Sequence, residues 1–390
     1  MKKKVLAITG IRSEYDILFP VIDKLRKSNM FEVEVVISSA HLSDFHGLTY
    51  KKIEEDGFKI ADKIDSLFNT NRETQRSKGV GMLIYALSQT VERVKPDFLL
   101  VVGDREESIA TCIVGNYMNI LTVHIGGGDP VFGNTDDPVR VACSKLAHLH
   151  FATTQLYADN LVEHLHEDDF RVIFSGNPAL QNIINTPPLD LNELSSYLNF
   201  DIADGNYIVL VKHPLSSELD NAAEQMDITL DALNTFAVKH HFKIVASYPN
   251  TDPGACDILN VIKKFESNPN FKFNKTLPRL AFINLLRHTK ALVGNSSMGI
   301  LEAPTYKIPV VNIGNRQQGR LQAGNVEFVA HNKELIVHAV ENACFNLDYR
   351  NEVSKLISPY SNGDAAEIIV NTLEKINAKD STYLVKRNLC

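Results

Sequence analysis

The chain has 390 residues, 44% of them hydrophobic and 22% charged, the mix of a globular protein long enough for two domains with their own cores. Its formal net charge is −7 and its pI is near 6.0. That balance argues against nucleic-acid binding, which calls for a basic face, so an anionic ligand has to be met by local positive charge.

The basic start MKKKVLAITG is followed at once by Arg12, Glu14 and Asp16. It therefore reads as a first strand and not as a signal peptide. No run approaches the ~18 apolar residues of a membrane span. The cysteines (Cys112, Cys143, Cys256, Cys344 and Cys390) are scattered, with no CxxC. This predicts reduced thiols, a cytoplasmic protein and no metal site or other cofactor.

Apolar strand-like runs follow at 4–10, 31–39, 98–104, 121–128, 148–154 and 171–176, with helical patterns at 15–28, 79–94, 106–118 and 137–147 between them. Such alternation predicts a parallel sheet covered on both faces. The stretch 181–205, with its Pro187-Pro188 pair, reads as a linker. A second series begins with strands at 207–214, 242–250, 291–297 and 309–314, separated by helices near 218–240, 254–267, 279–287 and 298–305. The fold class is thus α/β with two Rossmann-like domains, residues 1–180 and 205–363. A helix near 364–377 is expected to cross back to the first domain, followed by a loosely held polar tail to residue 390.

Ligands of open α/β sheets sit beyond the carboxyl ends of the strands, and polar residues cluster there. VGNSSMGILEAP (293–304) ends a strand and opens a helix, so Ser296, Ser297 and the main chain suit a pyrophosphate and Glu302 suits ribose hydroxyls. An ordinary capping turn explains the same residues. Arg316 and Arg320 follow the next strand as phosphate contacts or loop anchors, and Arg12 stands just past the first strand. GxGxxG is absent, which disfavours NAD. Asp104 and Arg105 in VGDREES, Asp129 in HIGGGD, Asp136 and Asp137 in TDDP, and His213 in VKHPLSSE all lie at or beyond strand ends. The carboxylates and the imidazole are candidates for proton transfer. Helix capping is the competing role for Asp104 and for one member of the aspartate pair.

With these residues in hand the chain resembles the UDP-N-acetylglucosamine 2-epimerase family. It is most similar to the hydrolysing branch found in sialic and legionaminic acid synthesis. The resemblance is carried by TGIRSEYD, HLSDFHGLTYKKIEEDGF, VGDRE, HIGGGD, DDPVRVACSKLAHLHF, SGNP, KHPLSSE, YPNTDPG, VGNSSMGILEAP, GNRQQGR and SPYSNGDAAE, in that order. It implies a GT-B-like arrangement with the UDP-sugar in an interdomain cleft, and a homo-oligomer, dimer or tetramer. It also implies elimination of UDP to a glycal, then hydration to a free sugar inverted at C2. By position, Arg12, Ser296, Ser297, Glu302 and Arg320 would hold UDP. Asp104, Asp136 and His213 would share acid–base work at the sugar, and Arg105 and Asn250 would line the same cleft. Many relatives read HIEGGE where this chain has HIGGGD, so Gly126 replaces an acidic residue and Asp129 is a candidate to take over. Val141 stands where the family has histidine after Arg140. A non-hydrolysing epimerase, a GT-B glycosyltransferase and a nucleotide-sugar binding protein without turnover are the alternatives.

Overall fold

A computed structural model describes residues 2–68, 74–130, 136–250 and 252–386, the side chains of Asp136 and Ser216 excepted. The described residues form two compact units, one of 2–130, 136–182 and 360–386, the other of 183–359.

The sheet of the first unit contains β1 (Lys3–Thr9), β2 (Phe31–Ser38), β3 (Lys59–Ile64), β4 (Phe98–Val102), β5 (Leu121–Ile125), β6 (Leu149–Ala152) and β7 (Val172–Phe174). All are parallel, in the order β3-β2-β1-β4-β5-β6-β7. Central strands such as FLLVV and LTVHI are buried along their whole length, because helices cover both faces. One face packs Val5, Ala7, Leu100 and Val123 against the helix Arg12–Lys27; the other packs Leu6, Ile8, Leu99 and Val101 against Leu83, Leu87 and Ala110.

The second unit repeats the plan with β8 (Tyr207–Val211), β9 (Lys243–Ser247), β10 (Phe271–Asn274), β11 (Leu292–Gly294), β12 (Val310–Ile313) and β13 (Val326–Val329). Its order is β10-β9-β8-β11-β12-β13, again parallel. Each sheet reverses its winding beside its first strand, between β1 and β4 and between β8 and β11. Those are the switch points where such sheets bind ligands.

Five stretches differ from the sequence reading. The strands β3, β10 and β13 lack a continuous apolar run, and each lies at a sheet edge with most of its residues only partly buried. The 181–205 stretch carries a helix, Leu191–Leu198, capped reciprocally by Asp190 and Glu193. Its Leu194 and Leu198 enter the second core, so the segment is not a bare linker. The helix expected at 298–305 breaks at Glu302 into Met298–Leu301 and Ala303–Tyr306.

The C-terminal segment as far as Lys386 is also held in place. The helix Ala365–Lys375 buries Ile369, Val370 and Leu373 in the first core, worth about 1.5–3 kcal/mol each. Lys3 Nζ caps its end by donating to the carbonyls of Leu373, Glu374 and Ile376 at 3.0, 2.7 and 2.8 Å, as cations do at helix C-termini. Beyond it, buried Arg171 donates to the carbonyls of Thr382, Tyr383 and Val385. Lys386 Nζ lies 2.5 Å from the buried Glu167 carboxylate.

Candidate active site

At the first switch point, β1 ends at Gly10 and Arg12 begins the next helix. The Arg12 Nε lies 3.9 Å from the Asp16 carboxylate, with about a third of the side chain exposed. Two carboxyls lie beneath this turn. Gly10 N–H donates to Glu14 Oε2 at 2.9 Å, and a Cβ on Gly10 would stand 1.9 Å from Glu107 Oε1. Ser38 Oγ donates to Glu107 at 2.9 Å and Ser39 donates to it as well. Burial, reinforced by the charge of Glu107, pushes Glu14 well above the usual carboxyl range. Burial and then Glu106 push Glu107 up, with Arg105 opposing. Like charges confined in one dry site favour retention of a proton.

Asp104 follows β4, yet it is not a helix cap. The helix Glu106–Met118 has Arg105 in the capping position, and the Arg105 Nε lies 3.7 Å from Glu106. The Asp104 carboxylate is salt-bridged to Arg140. Arg140 also donates to Asp129 Oδ2 and to the Gly126 carbonyl, each at 3.1 Å. One guanidinium from the helix Asp136–Leu146 thus ties together the loops after β4 and β5, a use of the fork geometry that lysine lacks. The Asp129 side chain is 4% exposed and that of Asp104 16%.

Two glycines of HIGGGD adopt backbone angles that favour glycine. Gly126 and Gly128 have φ of +83° and +77°, where L-residues are strained. Among the described residues, nothing lies within 4 Å of a Cβ position on Gly126. Behind this loop His124 Nε2 bonds the Gly103 carbonyl at 2.7 Å. Burial, then the neighbouring His150, push its ring down to about 3. Asp136 opens its helix, but its side chain lies outside the described residues.

At the second switch point Asn295 is the hub. Its Oδ1 accepts the His213 N–H at 2.7 Å and its Nδ2 donates to the His213 carbonyl at 2.8 Å. Its own carbonyl accepts from Arg316 and Gln317, each at 3.2 Å, and Arg320 donates to Gln317 Oε1 at 2.9 Å. The loops after β8, β11 and β12 are thereby joined. The loop after β9 joins them through Asn250, whose backbone N–H donates to His213 Nδ1 at 3.1 Å. An Nδ1 that accepts leaves the hydrogen of the neutral ring on Nε2. His213 therefore offers a donor and not a base. Asn250 Nδ2 donates to Asp252 at 2.5 Å, and Asp252 lies 4.0 Å from Arg316.

Ser296 Oγ accepts from the Met298 N–H at 3.4 Å and Ser297 precedes the helix Met298–Leu301. The broken helix weakens the dipole argument made from sequence, because four residues align few peptide dipoles.

His213, Asn250, Ser296, Ser297, Glu302 and Arg320 thus come from the second unit. Arg12, Asp104, Arg105 and Asp129 come from the first. The residues that hold these groups in place, Arg140 and Asn295, were not among the sequence candidates. Both stood inside quoted motifs, Arg140 in DDPVR and Asn295 in VGNSS. Among the described residues, no group of three His, Cys, Asp or Glu side chains could hold a metal, and no helix is long and apolar enough to cross a membrane.

Two doubly wound α/β domains, each with its polar loops gathered at the switch point, place the chain in the GT-B-like class. The profile of the UDP-N-acetylglucosamine 2-epimerase family matches residues 23–374, and the chain belongs to that family. A Campylobacter jejuni "GDP/UDP-N,N'-diacetylbacillosamine 2-epimerase (hydrolyzing)" is 30% identical, over 83% of this chain and 84% of its own length. A Legionella pneumophila "UDP-N,N'-diacetylbacillosamine 2-epimerase (hydrolyzing)" is 30% identical over 84% and 85%. The crystal structure of Neisseria meningitidis UDP-GlcNAc 2-epimerase bound to UDP-GlcNAc superposes with a TM-score of 0.78 at 22% identity. It covers 96% of this chain and all of that one.

Proposed function

We propose that the protein is a hydrolysing 2-epimerase acting on UDP-N-acetylglucosamine or on a UDP-2,4-diacetamido-2,4,6-trideoxyhexose, and that it works as a cytoplasmic homo-oligomer. The observation that carries the reading is 30% identity to two relatives named as hydrolysing epimerases, over 83–84% of the chain. In the reaction a base takes the C2 proton, the C1–O bond breaks and UDP leaves with the electron pair. Water then adds its hydroxyl at C1 while a proton returns to C2 on the other face.

Asp104 is assigned to the sugar ahead of Asp129 because more of it is exposed, and Asp136 is kept beside it. The His213 Nε2–H suits charge developing on the departing oxygen. Arg12, Ser296, Ser297, Glu302 and Arg320 are assigned to UDP, with Arg105 and Asn250 lining the site.

The test is incubation with each UDP-sugar in deuterated water, followed by NMR. The expected products are UDP and a free C2-inverted sugar carrying deuterium at C2. No UDP from either substrate would refute the proposal. A C2-inverted sugar still bearing UDP indicates the non-hydrolysing reaction, and UDP released only with an acceptor indicates a glycosyltransferase. Asp104→Asn should abolish turnover with UDP affinity largely kept, whereas Glu302→Ala should weaken UDP binding.

A further inference from the structure

Lys212 is a buried amine that this mechanism does not use. It follows β8 and is 2% exposed. Its Nζ lies 2.9 Å from Nε2 of His331, which follows β13. In the sheet, β11 and β12 stand between β8 and β13, so the two side chains together span roughly 14 Å across three strand spacings.

The path is fixed at both ends. A Cβ on Gly294 would stand 2.0 Å from the Val211 carbonyl oxygen and 3.3 Å from Lys212 N. At the other end the His331 ring packs on Gly314, with Cε1 2.5 Å from where a Cβ would be. The Lys212–His331 pair therefore runs across the carboxyl ends of β11 and β12. These strands lead into the loops that carry Ser296, Ser297, Arg316 and Arg320. An ammonium has three hydrogens, and His331 takes one of them. Burial pushes the Lys212 amine down to about 7, against the charge of Glu218. Burial, and then Lys212 itself, push His331 down to about 4, so the imidazole is a neutral acceptor near pH 7.

We propose that Lys212 is an internal counter-charge for the nucleotide diphosphate: it takes up a proton when the anion seats at the Ser296–Ser297 turn, with His331 anchoring the ammonium. This rests on the UDP-sugar reading of the site. A buried lysine reports a nearby anion through its protonation. A fixed cation such as Arg320 would bind the same anion without proton exchange.

The test is calorimetry of UDP binding at pH 7 and pH 8 in HEPES and in Tris, whose ionisation enthalpies differ. The wild-type protein is expected to take up approaching ~1 proton per UDP at pH 8 and about half as much at pH 7. Lys212→Met is expected to lose the uptake and to bind UDP about tenfold more weakly at pH 7. His331→Gln, which keeps an acceptor for the ammonium, is expected to retain uptake. If Lys212→Met fails to fold, the rise in wild-type uptake from pH 7 to pH 8 decides the matter. UDP binding with no proton uptake at pH 8, or uptake retained in Lys212→Met, overturns this inference and leaves the proposed function standing. No UDP binding by the wild type overturns both.

Discussion

Replacing Arg140 by methionine removes one guanidinium and leaves two carboxylates without it. Asp129, with 4% of its side chain exposed, cannot recover by hydration, and Asp104 is only 16% exposed. Breaking a buried ion pair by deleting one partner costs about 3–5 kcal/mol. In a unit of this size each kcal/mol shifts the melting temperature by about 2–4 °C, so the expected loss is roughly 6–20 °C. The Gly126 carbonyl loses its donor too, so the loops after β4 and β5 are free to separate. Displacement of a reacting group by about 1 Å costs on the order of 100-fold in rate, which sets the expected fall in kcat. Pairing the change with Asp129→Asn removes the carboxylate charge that Arg140 no longer meets. That double variant should regain part of the stability but none of the rate. The checks are thermal melts of both variants and the UDP-release rate at saturating substrate. A single variant melting within about 2 °C of the wild type and turning over within about threefold of it would refute the reasoning.

Asn295→Ala deletes the side chain that both donates to and accepts from the His213 backbone. It takes the side-chain acceptor from a part-buried N–H, which costs about 1–3 kcal/mol. UDP affinity, read by calorimetry, should fall about tenfold or more, with unit 1 unaffected by hydrogen exchange. At acid pH the tail contact is the weak point. Burial disfavours the Glu167 carboxylate, but the His150 hydrogen bond and the Lys386 charge outweigh this and hold it near 2. Burial pushes His150 itself down, and Lys386 at 2.5 Å and Lys145 at 3.5 Å are the lysines paired with the carboxylate. A carboxyl depressed in the folded state stabilises above its unfolded pKa and loses that contribution as pH falls through the folded value. Stability worth about 3 kcal/mol should therefore disappear between roughly pH 4.5 and pH 2. Urea melts across that range should show a steeper decline for the wild type than for Glu167→Gln; equal slopes would contradict it.

The sequence exposed the centres of the sheets but not their margins. Strands such as VLAIT and FLLVV are buried on both faces and so appear as unbroken apolar runs. Lys59, Asp62 and Lys63 in β3 sit at an edge, where one side faces solvent. No run forms there to be noticed. The candidate site residues followed the same logic. Asp104, Asp129 and His213 were visible because strand ends are where ligands bind, whatever the order of the strands. Arg140, Asn295 and Lys212 were not, because their roles depend on which loops lie side by side. A lysine after a strand reads as solvated until the sheet order brings His331 within its reach.

That dependence bears on how the missing acid at Gly126 is to be understood. Asp129 was the obvious replacement in sequence terms, being three residues away and of the right chemistry. Its burial and its bond to Arg140 support a different assignment, in which it orients the guanidinium that orients Asp104. A carboxylate lost at Gly126 would then not be replaced one for one. Proton transfer would fall to Asp104, which is the more exposed of the two carboxylates on Arg140, and to Asp136 on the same helix as that arginine. The space at Gly126 that no described residue fills would be available to the substrate instead of to a protein acid. The Asp129→Asn change, made alone, separates the two assignments. If Asp129 were itself the base, the Asp129→Asn change would abolish turnover even with Arg140 intact. If it is a positioning residue, that single change should slow turnover by a smaller factor than Asp104→Asn does.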